Sequence, residues 1–88
     1  MEFSRGRIVR SKAGRDRSDF LVVLQADARF AVVSDGKRRS LSHPKKKNLR
    51  HLAATGAQLP ESSLGTDRAI RRALAEFRNE GPLSRRGG

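Results

Sequence analysis

Gly6-Arg7-Ile8-Val9-Arg10-Ser11-Lys12-Ala13-Gly14-Arg15-Asp16-Arg17 joins a short apolar run, a glycine turn and five cationic side chains. Ile8 and Val9 are β-branched, which favours extended backbone and reads Arg7 to Lys12 as a strand. Gly14 reads as a turn, because glycine takes positive φ without steric cost. The second strand follows at Phe20 to Gln25, where Phe20, Leu21, Val22, Val23 and Leu24 form an apolar run fit for a central position. A third run, Phe30-Ala31-Val32-Val33, leads into Ser34-Asp35-Gly36-Lys37. Asp-Gly between extended segments predicts a two-residue type I′ hairpin, with Lys37 to Leu41 as its returning strand.

His43-Pro44 interrupts any continuous central strand, the loop Lys45-Lys46-Lys47 follows, and Asn48 to Leu52 reads as a closing strand. Five short strands in residues 1–55 predict a mostly β domain closed into a barrel, since closure protects strand edges. Residues 56–65, with Gly56, Pro60, Ser62, Ser63 and Gly65, read as a linker. An amphipathic helix is expected over 66–80, capped by Thr66, with Ile70, Leu74 and Phe77 at i, i+4 and i+7. Gly81-Pro82 would stop it, and residues 81–88 read as a disordered tail.

The chain has 88 residues, 20 Lys and Arg against 9 Asp and Glu, and a net charge of +11. Such a balance points to a polyanionic partner and salt-sensitive association. Residues 1–55 carry net +9 and residues 56–88 net +2, so the binding candidate is the first segment. With no cysteine, disulfides, thiolate catalysis and cysteine-ligated zinc drop out together. No run of about 18 apolar residues spans a bilayer and no signal-peptide core is present, so the expectation is a soluble cytoplasmic monomer away from membranes.

Each candidate has a plainer explanation beside the functional one. Gly14 either lets a phosphate approach the backbone or merely serves a turn. Lys12, Arg15 and Arg17 project from the same connection and favour the first. Lys45-Lys46-Lys47, flanked by Lys37, Arg38, Arg39 and Arg50, is either a solvated or import-type basic run or a phosphate-binding surface. Phe20 and Phe30 sit inside apolar runs where packing is the expected role, which leaves base stacking poorly supplied. Backbone and shape recognition of structured RNA is therefore favoured over single-strand reading. His43 and His51 flank a lysine run that would repel a metal ion. Asp16, Asp19, Asp27 and Asp35 fall in turns beside cations, where ion pairing accounts for them. No nucleophile, base and orienting group come together, so no enzyme, metal or cofactor is expected.

Gly6 to Arg17, Ser34-Asp35-Gly36-Lys37 and Pro44-Lys45-Lys46-Lys47-Asn48-Leu49-Arg50-His51-Leu52, taken in order, resemble a small family of bacterial KOW-domain RNA-binding proteins. That family is similar to large-ribosomal-subunit protein fourteen of archaeal and eukaryotic type. The resemblance covers about residues 3–55 and implies an SH3-like barrel with a role near ribosomal RNA; the C-terminal helical appendage, read from its periodicity, lies outside it. It implies RNA contacts at Arg10, Lys12, Gly14, Arg15, Arg17 and Lys45 to Lys47, to which the charge pattern adds Lys37, Arg38, Arg39 and Arg50. Ser18-Asp19 stands where the family's loop usually has a second glycine and a basic residue, which shifts weight to Lys45 to Lys47. The alternative is a KOW-type adaptor in transcription or translation that binds a ribosomal or other protein through Ile70, Leu74 and Phe77.

Overall fold

Strands β1 (Arg7–Ser11), β2 (Phe20–Ala26) and β3 (Phe30–Ser34) form an antiparallel meander whose side chains alternate between two buried faces. Val9 stands opposite Leu21 and Val23 opposite Val33, and these join Ala31 and Leu52 in one core cluster. Ile8 stands opposite Val22 on the other face, where both meet Leu64, Ile70 and Leu74. The apolar run Phe20 to Leu24 of β2 follows, because these positions are covered on both faces. The computed structural model describes residues 2–14 and 19–79. Arg15 to Ser18 and the expected tail at 81–88 lie outside the described residues.

Two further strands complete one sheet: β4 (Lys45–Asn48) pairs with β3, and β5 (Leu52–Gln58) pairs with β1. The order β4-β3-β2-β1-β5 leaves β4 and β5 as edges, so the sheet is open where a closed barrel was expected. A 3-10 turn at Leu49–His51 links those two strands, its start capped by Asn48, whose Oδ1 accepts the Arg50 amide at 2.9 Å.

Three sequence-based assignments need correction. The expected returning strand Lys37 to Leu41 is a loop, because its backbone bonds within itself: the amides of Asp35 and Gly36 donate to the Arg39 carbonyl. Asp35 Oδ1 accepts the amides of Lys37 and Arg39 at 2.8 and 2.9 Å, which consumes the donors a hairpin ladder would use. The loop Lys45 to Lys47 is itself the strand that returns along β3. The closing strand expected at Asn48 to Leu52 instead begins at Leu52 and runs to Gln58, beyond the domain boundary at 55 and into the expected linker.

Helix α1 (Asp67–Asn79) forms where its periodicity placed it, with Thr66 Oγ1 accepting the Ala69 amide at 3.1 Å. Ile70 and Leu74 are buried against β1 and β2, and Phe77 packs edge-to-face on Phe20 with ring centroids 5.1 Å apart. Burying an isoleucine and a leucine contributes roughly 1.5–3 kcal/mol each, which is ample reason for a basic helix to dock. The apolar stripe is therefore part of the core. Asp67 ties the helix start to the chain below by accepting the Leu41 amide at 2.7 Å. Among the described residues, no helix is long and apolar enough to cross a membrane.

Candidate nucleic-acid interface

Strand β4 sorts its three lysines by burial. Lys47 stands opposite Ala31, on the face that carries the inner core, and is 9% exposed. Lys45 and Lys46 are exposed. Lysine has little strand propensity of its own, and what holds this segment extended is the ladder to β3. Lysines on an exposed edge also repel other strands, so edge protection is a structural explanation for the run beside the electrostatic one.

The Lys47 side chain reaches the connection between β1 and β2, where its Nζ lies 3.4 Å from the Ala13 carbonyl. The two basic blocks of the sequence thus meet, although they are 34 residues apart. Ser11 closes the neck of the connection: its amide donates to the Asp19 carbonyl and its hydroxyl to Ala13. Gly14 has φ +79°, the left-handed region that favours glycine. Among the described residues, a Cβ there would meet Lys47 Nζ at 3.7 Å, an ordinary contact. Lys12 is exposed, its amide donating to the His51 carbonyl. Arg15 and Arg17 lie outside the described residues. Arg10 is exposed and stands opposite Phe20, on the sheet face that carries α1 rather than the one that carries Lys47.

A second group forms where the β3–β4 loop faces the helix. Lys37 and Arg38 are exposed at the loop tip and share an open groove of about 500 Å³ with Arg71 and Arg78. Phe20, Leu74 and Ala75 contribute apolar lining, while Asp19 and Asp35 add negative charge. Arg71 also donates to the Gly36 carbonyl at 2.8 Å, fixing loop to helix. Arg39 is half-buried at the base of the loop. Sequence reasoning left Arg71 and Arg78 out of the site, although their seven-residue spacing places them on one helix face flanking Leu74.

The third group surrounds the start of β3. Phe30 is half-buried yet belongs to neither core cluster, contrary to the packing role expected for it. Its ring carries Lys46 Nζ at 4.7 Å from the centroid, a cation–π contact. Arg29 and Arg50 are exposed and border the same depression of about 350 Å³. Asp27 shapes this corner, since its Oδ1 accepts the amides of Arg29 and Phe30, both at 2.8 Å. Those two hydrogen bonds, with the charges of Lys46 and Arg29, hold its carboxyl below the usual range. Nothing in the sequence pattern marks Arg29 and Phe30, because an aromatic opening an apolar run looks like core.

Among the described residues, no group of three His, Asp or Glu side chains comes together to hold a metal ion. His43 pairs with Ser42 at 3.2 Å and His51 is exposed on the 3-10 turn. Comparison of the chain with protein-family models finds no match. Comparison with curated proteins finds no significant match either.

Proposed function

We propose that this protein is a non-enzymatic RNA-binding module that docks on structured, ribosomal RNA through its basic loops and edge strand. The observation that carries this reading is the junction of Lys47 with the Ala13-Gly14 turn, which brings the lysine run of β4 to the basic β1–β2 connection. Lys12 beside that turn, with Lys45, Lys46 and Arg50 on and after β4, then offers several exposed cations, a surface suited to several neighbouring phosphates. The antiparallel order β4-β3-β2-β1-β5, with a 3-10 turn between the last two strands, is compatible with the SH3-like, KOW-type reading, although the sheet is open. An adaptor role through Ile70, Leu74 and Phe77 has less support, because the first two are already buried on the sheet.

Contacts of this kind give affinity and orientation more than base discrimination, so shape should decide between partners. The test is a salt titration of binding to folded ribosomal RNA fragments, with duplex DNA and unstructured RNA of equal phosphate count as competitors. Preference for folded RNA that persists at physiological salt is the expected result. Equal binding to all three, lost together as salt rises, would reduce the protein to a nonspecific polycation.

A further inference from the structure

Phe30 presents a large apolar ring outside both core clusters, in a chain that has only four aromatic residues. The cost of exposing part of such a ring calls for a compensating partner. Three cations stand around it: Lys46 over its face, and Arg29 and Arg50 on the rim of the adjoining depression. Ala28, Asn48 and Leu49 complete that depression, whose volume of about 350 Å³ falls at the small end of the roughly 300–1,000 Å³ typical of small-ligand clefts. The corner is also braced before any ligand arrives. Asp27 caps the turn through the amides of Arg29 and Phe30, and its own amide donates to the Phe30 carbonyl at 2.9 Å. From the other side the Leu49 amide donates to the Arg29 carbonyl at 2.8 Å, binding the turn to the 3-10 segment that carries Arg50.

We infer that this corner takes one unpaired RNA nucleobase, stacked on Phe30, with Arg29, Arg50 and the displaced Lys46 holding its flanking phosphates. This deepens the RNA-binding reading and rests on it, adding a base pocket to a surface otherwise read as touching backbone alone. Relative magnitudes favour the exchange. An exposed cation–π contact contributes about 0.5–1 kcal/mol, whereas a base stacked on an aromatic side chain contributes about 1–3 kcal/mol. A base can therefore displace the Lys46 ammonium, which gains a phosphate in return. With Asp27 as the one carboxylate in the turn, three cations against one anion leave the corner positive. A bare phosphate would have no use for the ring, and an apolar peptide would have none for the cations. An unpaired nucleotide uses both.

Two RNA hairpins of equal phosphate count, one fully paired and one with a single bulged nucleotide, separate the base pocket from backbone docking. The full-length wild type should prefer the bulged hairpin by roughly 5–150-fold, the ratio equivalent to one stacked base. Phe30→Leu should bring that ratio close to one, while Phe30→Tyr should keep most of it. Adenosine 5′-monophosphate followed by NMR supplies a readout that needs no variant. It should shift the Phe30 ring protons upfield, and ribose 5-phosphate should not. Equal affinity for both hairpins in the wild type, or a ratio that survives Phe30→Leu, overturns the pocket even where salt-sensitive binding to the paired hairpin upholds the RNA-docking reading. Loss of binding to both hairpins overturns both.

Discussion

Replacing Lys45 and Lys46 together by alanine should lower the log-log salt slope of RNA binding by about 1.4–1.8, at about 0.7–0.9 per lost phosphate contact. Sequence alone would treat the three lysines of the run as equal and assign the triple variant a loss of roughly 2–3. The structure divides them: Lys45 and Lys46 are exposed, whereas Lys47 is buried with its Nζ at the Ala13 carbonyl. Between 50 and 200 mM salt, a slope change of this size makes the double variant about 7–12-fold less salt-sensitive than the wild type. Fluorescence anisotropy on one folded RNA, repeated across that range, reads the slope directly. Folding should be little affected, since both side chains are exposed and the Lys46 contact with Phe30 contributes about 0.5–1 kcal/mol. Lys47→Ala should instead lower the melting temperature, because its stem covers the inner face and its ammonium meets the Ala13-Gly14 turn. A slope unchanged in the double variant removes the β4 edge from the interface. A loss carried wholly by Lys47→Ala would refute the division by exposure.

Replacing Leu74, 2% exposed on the buried face of α1, by alanine should cost about 2–5 kcal/mol, read as a shift in the urea midpoint. Gly36→Ala should destabilise by more than the roughly 1–2 kcal/mol of left-handed strain, because φ there is +74° and the new Cβ would press on the Asp67 carbonyl; a melting temperature equal to wild type would refute the close approach. Asp27 is held low by its backbone hydrogen bonds, and Glu61 chiefly by its hydrogen bonds to Arg5 at 2.7 and 3.1 Å. Since both folded-state values lie below the ordinary carboxylate values of about 3.9 and 4.3, their stabilisation is present above that range and lost as pH falls beneath it. Asp27→Asn and Glu61→Gln should each melt below wild type at pH 7, with the difference shrinking as pH falls beneath that range.

The first three strands and the helix were legible because their signal is carried by side chains that any context would bury or extend: Ile8 and Val9, the run from Phe20 to Leu24, and the stripe Ile70, Leu74, Phe77. Where tertiary contacts decide, local reading went astray. Asp35-Gly36 has the composition of a hairpin turn, but Asp35 spends its carboxylate on the loop's own amides and Gly36 makes room for the helix start. β5 is built of Leu52-Ala53-Ala54-Thr55-Gly56-Ala57-Gln58, mostly weak strand formers apart from Thr55, which are extended because β1 offers a ladder. Of the site, the cations were legible by charge and the meeting of Lys47 with Gly14 was not, since it depends on β4 lying along β3. Phe30 was misjudged for a related reason. Hydrophobicity says that a ring should be covered, but only the register shows that it shares a face with Lys46.

The pairing of β1 with β5 joins the first strand of the chain to the last, Val9 with Ala54 and Ser11 with Leu52. During synthesis at roughly 5–20 residues per second, the outer side of β1 has no partner for about 2–9 s. Throughout that interval Ile8 and Val9 are an open template for strands of other chains. Arg7 and Arg10, which bracket the apolar pair, make such encounters unfavourable through like-charge repulsion. The cations at the start of this chain thus have work to do before the fold they belong to exists.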